Sequence, residues 1–372
     1  MTKPASTRFL ALDVLRGMTV CFMIIVNTPG SGAEPFSPLL HAHWHGFTPT
    51  DLVFPSFLFA VGNAMAFAMA KYEAMPASAV VGKILKRTAI IFLLGFLMYW
   101  FPFFERVRGG GWEFAPFSHT RVFGVLQRIA LCYGIASLMI YFLPKRTVWI
   151  ISAGLLLGYW LLMKFGGDYT MLGNLGQKID LWLLGENHLY HGEGVAFDPE
   201  GFLSTFPAIV NVVIGYYAGV FIRSKGNSYE TIARLLLAGA VLICIAYFWD
   251  LLFPINKKLW TSPFVLYTCG LDLLILGSLI YVIEILGKKN WTYFFEVFGK
   301  NPLFIYLLSE ILITILSLIR VGNSSLPRAI NTSIFQKLLP GAVGSLLFAI
   351  SYMMVCWLVG YWMDKNKKYV RV

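Results

Sequence analysis

Three imidazoles at alternate positions, His41, His43 and His45, open the segment H-A-H-W-H-G-F-T-P-T-D-L-V-F, and a carboxylate follows at Asp51. Histidine titrates near neutral pH, so it can take a proton, carry an acyl group or ligate a metal. Imidazoles suit zinc, copper or nickel, but H-x-H-x-H points all three the same way only in an extended strand. Nothing in this connecting segment calls for a strand, and no metal is expected. Asn27 closes the preceding apolar run in V-N-T-P-G. Its amide suits the turn that follows, and equally suits orienting a carbonyl or stabilising an oxyanion.

The elements around this segment must be membrane helices. Hydrophobic residues make up 58% of the 372, charged residues 13%, and the apolar runs are long enough to cross a hydrocarbon core of about 30 Å. A bilayer offers the backbone no water, so each run must close its own hydrogen bonds as a helix. We expect an all-α polytopic protein with about ten spans, near 9–28, 53–71, 86–104, 122–143, 147–164, 203–222, 232–253, 261–286, 294–319 and 341–363, forming one integral domain over 1–372.

Lys3, Arg8, Arg16, Lys71, Lys83, Lys86, Arg87, Lys145, Arg146, Arg223, Lys225, Arg234, Lys288, Lys289, Lys365, Lys367, Lys368 and Arg371 then fall on one side. The positive-inside rule makes that side cytoplasmic, with both termini there. The net charge of +11 reads as an insertion signal and an attraction to anionic lipid, not as nucleic-acid binding. Asp13 and Arg16 interrupt the first apolar run, which is therefore expected to stay as a span and not to be cleaved as a leader. The five cysteines lie singly inside spans and give no disulfide framework.

All six histidines fall on or near the outer face, where the loops are acidic and aromatic. Trp44 and Trp112 there can stack on a sugar or sit in an interfacial belt. Ionisable groups inside or at the ends of spans mark cavities or pairs, because lipid does not solvate them. Asp13, Arg16, Asp51, Arg121, Arg128, Asp250, Asp272, Lys300 and Glu310 qualify. Arg121 and Arg128 share a helical face two turns apart. Two readings stay open: an interhelical ion pair of Arg128 with Asp13 or Asp272, or a polar cavity whose arginines hold phosphate groups.

The run L-D-V-L-R-G-M-T-V-C-F-M-I-I-V-N, then H-A-H-W-H-G-F-T-P-T-D-L-V-F-P, is similar to the heparan-α-glucosaminide N-acetyltransferase family of transmembrane acetyltransferases. G-V-L-Q-R at 124–128, D-P-E-G at 198–201, P-I-N-K-K-L-W at 254–260 and N-P-L-F-I-Y-L-L-S-E at 301–310 extend the resemblance in order over nearly the whole chain. The resemblance implies transfer of acetyl from cytosolic acetyl-CoA to the amino group of a glucosamine across the membrane. His41 stands in the place of the family's catalytic histidine, Asn27 in that of its asparagine and Asp51 in that of its aspartate.

His41 is expected to act as base or acetyl acceptor, Asn27 as oxyanion donor, and Asp51 to hold an imidazole tautomer or bind the amine. Arg87, Arg121, Arg128, Lys300 and Asn301 are expected along the cofactor route, although Arg121 lies near the outer face. Trp44, Asp198, Asn256 and Lys257 are expected to meet the acceptor. Compared with lysosomal members, the chain is expected to lack the large N-terminal lumenal region and first span and to be a bacterial inner-membrane homologue. The alternative from another class is a secondary transporter, for which paired inverted halves are not evident. Lipid-facing and partner-facing helices look alike in one sequence, so a homodimer stays open.

Overall fold

The computed structural model describes residues 9–72, 74–106 and 110–370; Lys3, Arg8 and Arg371 lie outside them. The chain is built from helices α1 (Leu10–Asn27), α2 (Pro49–Met69), α3 (Ala77–Trp100), α4 (Val125–Phe142), α5 (Lys145–Gly166), the short α6 (Leu175–Leu184), α7 (Thr205–Lys225), α8 (Tyr229–Asp250), α9 (Ser262–Ile280), α10 (Thr292–Lys300), α11 (Pro302–Leu318), the short α12 (Leu326–Ile330) and α13 (Gln336–Leu338), and α14 (Ala342–Lys365). Two small hairpins decorate the connections: β1 (Phe104–Arg106) pairs antiparallel with β2 (Trp112–Phe114), and β3 (Arg320–Val321) with β4 (Ser324–Ser325).

Among the described residues, eight helices are long and apolar enough to cross a membrane, and nine if the bent pair α10–α11 counts as one span. The expected tenth is α3, which lies outside that count because Lys83, Lys86 and Arg87 crowd its first half. It still runs 24 residues and packs along α4, carrying the chain from one end of the bundle to the other. It starts at Ala77, after Pro76, and not near 86: Lys83, Lys86 and Arg87 on its second and third turns interrupt the apolar run without interrupting the helix. Helix alternation then puts the described basic residues named above at one end. The opposite end carries the 28–48, 101–124, 167–204, 251–261 and 319–341 connections.

α2 and α7 form the centre. Gly62 faces the Val212 carbonyl and Gly215 the Phe59 carbonyl so closely that a Cβ at either position would collide with backbone. Small residues let membrane helices approach and gain dispersion contacts where water gives no drive. About 72% of each of these helices is buried, against 28% of α5 and of α8, which form the periphery. α10 and α11 meet at 83°. Asn301 sits at the break, its amide donating to the Lys368 carbonyl at 3.1 Å and accepting from the Val370 N–H at 2.9 Å.

Candidate active site

α1 ends at Asn27, and the connection that follows is fastened to the first turn of α2. The Thr48 hydroxyl donates to the Leu40 carbonyl at 2.6 Å, and the Thr50 hydroxyl to the Pro38 carbonyl at 2.9 Å. Thr48 and Asp51 make a capping box, with Pro49 at the first helical position. Helices start readily on this arrangement because it satisfies otherwise orphaned N–H groups. That is why α2 begins four residues before the expected 53. Asp51 Oδ2 accepts the N–H groups of Thr48 at 3.0 Å and Ala42 at 3.1 Å, leaving Oδ1 for His41 Nδ1 at 2.7 Å.

The two side chains differ sharply in exposure, 1% for Asp51 and 42% for His41. An ionised carboxylate only accepts, so Nδ1 carries a proton, and in the neutral imidazole the lone pair is then on Nε2. This is the division of labour that a base or acyl-accepting imidazole requires. Asp51 thus meets the imidazole directly.

The 251–261 connection brings a cation to the same imidazole. Lys257 Nζ lies 3.1 Å from His41 Nδ1 and 3.0 Å from Nε2. A point so nearly equidistant from both nitrogens cannot lie in the ring plane without touching Cε1, so the amine sits over the ring face and leaves the Nε2 lone pair open. Burial pulls the Lys257 ammonium below the usual lysine range, against the opposing pull of Glu200 and Asp51. The loop is held by Gly46 N–H donating to the Ile255 carbonyl at 2.8 Å and by Asn256, whose Oδ1 accepts the Leu259 N–H at 2.9 Å. Asn256 is fully buried and reaches His45 Nδ1 at 3.4 Å. It holds the loop from within.

Trp260 anchors this loop to the spans. Its backbone has φ +51°, its ring is fully buried against Phe54 and Phe264, and its indole N–H donates to Asn211 at 3.1 Å. The Arg128 guanidinium stacks on that ring at 4.8 Å. Arg128 donates to the Gly201 carbonyl at 3.2 Å and to the Ser204 hydroxyl. Asp13 instead meets Arg16 at 3.7 Å and Asp272 accepts from Ser56, so neither expected ion pair with Arg128 forms. Arg128 Nε and Nη1 are buried without a hydrogen-bond partner among the described residues.

Arg121 is also committed. It binds Asp198 at 2.6 and 2.9 Å and Glu200 at 2.6 Å, between the rings of Tyr99 and Tyr190 at 4.8 and 4.7 Å. This knot ties the 115–124 and 186–204 connections together and brings Arg121, expected on the cofactor route, to Asp198, expected to meet the acceptor. Trp44 is held too, donating to the Tyr169 carbonyl at 2.7 Å and packing edge-on to Phe197. Asn27 donates to Glu310 at 3.1 Å on α11 and lines a recess of about 250 Å³ with Thr28, Ser31, Ser317, Ser325 and Arg328.

Toward the basic end, a cavity of about 110 Å³ is lined by Arg16, Arg87, Tyr133, Leu126, Ile129, Pro302, Leu303 and the α2 residues Phe57, Ala60, Val61 and Ala64. Arg87 stacks on Tyr133 at 4.7 Å, with its Nε buried and unpartnered among the described residues. At 1.5 Å rise per residue, Phe57 lies only about 9 Å and Ala64 about 20 Å from Asp51 along α2. Lys300 is drawn elsewhere, to Asp364 at 2.9 Å, and Asn301 to the 368–370 backbone, so neither faces this cavity as a free group. Among the described residues no group of three His, Cys, Asp or Glu side chains could hold a metal ion.

Sequence reasoning missed the direct contact of Lys257 with His41 and the pairing of Asn27 with Glu310. One signal was available for the first. Lys257 and Lys258 stand on the histidine side, against the positive-inside rule, and cations there need partners. Lys258 has one in Glu193 at 2.6 Å, and Lys257 has the imidazole.

An all-α, multi-pass membrane protein with an imidazole, carboxylate and amine converging at one end of its bundle is the class that fold and site define. The chain belongs to the family described as heparan-alpha-glucosaminide N-acetyltransferase, catalytic, which matches residues 8–246. It is 26% identical over 364 residues to the heparan-alpha-glucosaminide N-acetyltransferase of Homo sapiens, covering 82% of this chain and 53% of that protein. It is likewise 26% identical over 375 residues to the protein of that name from Mus musculus, covering 83% and 54%. The chain thus spans about half the length of the curated relatives it matches.

Proposed function

We propose that this protein is an acetyl-CoA-dependent N-acetyltransferase that moves an acetyl group across the membrane to a glucosamine-type amino sugar. The observation that carries the reading is the Asp51–His41 pair, which leaves Nε2 as an open base or acetyl acceptor at the end of a helix whose other turns line the basic cavity. Attack of an amine on a thioester needs a proton acceptor at the reacting nitrogen, and His41 supplies it. Arg87 and Arg16 are the cations suited to the cofactor phosphates, and the acyl end reaches His41 along α2 and α4 past Arg128. The basic end faces the cytoplasm by the distribution of lysine and arginine, in what we take to be a bacterial inner membrane, so donor and acceptor meet from opposite sides.

Purified protein incubated with labelled acetyl-CoA and a panel of amino sugars tests this directly. Label in N-acetylglucosamine is the expected result, abolished in a folded His41→Ala variant. Absence of any acetylated amino sugar, or full transfer by His41→Ala, refutes the reading. Uptake of unmodified sugar into proteoliposomes would support a transporter instead.

A further inference from the structure

We infer that Lys257 is a group that stabilises the oxyanion formed when an acyl carbon is attacked beside His41. The inference rests on the acetyl-transfer reading above. A nucleophilic nitrogen adds to the acyl carbon, and the carbonyl π pair moves onto oxygen. Collapse returns that pair, breaks the C–S bond and releases thiolate. The proton removed from the amine passes through His41 Nε2 to the thiolate, giving thiol and amide.

The negative oxygen must therefore develop within a bond length or two of the atom in contact with Nε2. Lys257 Nζ is 3.0 Å from that same nitrogen, over the ring face, where it blocks neither the lone pair nor the Asp51 contact. A cation preplaced where charge appears needs no reorganisation during reaction. Asn27 carries no charge and places one of its two amide N–H groups on Glu310 at 3.1 Å.

The groups facing Lys257 are His41 and Asp51 from the α1–α2 connection and α2, Glu193 and Glu200 from the α6–α7 connection, and Lys258 on its own loop. Burial and Lys258 weaken the ammonium while the carboxylates support it, and the outcome lies below the ordinary lysine range. The charge that does the work is lost as pH rises through that lowered value. Activity should thus carry an alkaline limb below the usual lysine range.

Steady-state kinetics of the wild type, Lys257→Met and Lys257→Arg with labelled acetyl-CoA and glucosamine test this, with acetyl-CoA binding and thermal melting confirming folded protein. Lys257→Met should lose about 10²–10³-fold in kcat, the span seen on removing one oxyanion donor, with both KM values within about threefold. Lys257→Arg should recover most of that loss and shed the alkaline limb, because guanidinium stays charged. Turnover by Lys257→Met within about threefold of wild type, or a loss confined to KM, overturns the inference. Should Lys257→Met not fold, an unchanged alkaline limb in Lys257→Arg overturns it. A wild type that acetylates no amino sugar refutes instead the reading on which it rests.

Discussion

Asp51 spends its two oxygens on different tasks, one on starting a helix and one on aiming an imidazole. Replacing it with asparagine keeps the shape but offers Nδ1 a group that can donate, so the imidazole can turn or take the wrong tautomer. A fall of about 10²–10⁴ in kcat is expected, since a mis-set tautomer removes the base from the reacting side. Rate measurements on Asp51→Asn against Asp51→Ala check this; near-wild-type turnover by either variant would contradict it.

At this scale the sequence was partly legible. His41 and Asp51 were legible as site residues through the family resemblance, but not their contact: the expected start of α2 at 53 lay beyond both, and ten residues of spacing do not by themselves bring two side chains together. The Asn27–Glu310 pair and the Arg121–Asp198–Glu200 knot join positions tens to hundreds of residues apart. No local periodicity encodes such distant partners.

Among the elements, the N-terminus of α2 is the point where folding and chemistry share residues. Thr48 holds the Leu40 carbonyl and belongs to the capping box. Thr48→Ala should cost about 1 kcal/mol, as loss of a cap does, and should also loosen His41. The check is a lower Tm in detergent together with a fall in kcat; a Tm change with unaltered kcat would separate the two roles. In the α2–α7 contact, Gly215→Leu drives a side chain into the Phe59 carbonyl, and overpacking of this kind costs about 1–3 kcal/mol or more. Reduced Tm and poor recovery of monodisperse protein are expected, whereas Gly82→Leu, with open space around it, should be tolerated.

Hydropathy exposed the helices because lipid imposes the same demand on every span. It did not expose the 83° break at Asn301, since N-P-L within an apolar stretch reads as one run. Pro302 keeps Asn301 out of helical geometry, and tail residues 368–370 fold back onto the Asn301 amide there, a long-range contact.

For the whole molecule, the decisive quantity is which end faces which compartment. His43 is exposed at the histidine end, and Lys288 is exposed at the basic end. In a background lacking native cysteines, His43→Cys should react with a membrane-impermeant thiol reagent added outside spheroplasts. Lys288→Cys should react only after permeabilisation. The reverse pattern would invert the topology and leave acetyl-CoA on the wrong side for the proposed route.

The contrast between a buried α2–α7 centre and a lightly packed α5 and α8 says where this protein depends on its solvent. Phe248 and Leu237 on α8 and Ile150 and Phe165 on α5 project outward, so the annulus around those two helices is made of lipid tails or of detergent in their stead. Extraction changes the surroundings of α5 and α8, each 28% buried, far more than those of α2, which is 72% buried. Detergents of different chain length should therefore shift the loss of the outer helices, while the hydrogen-bonded join between the start of α2 and the imidazole keeps its geometry until the centre itself gives way.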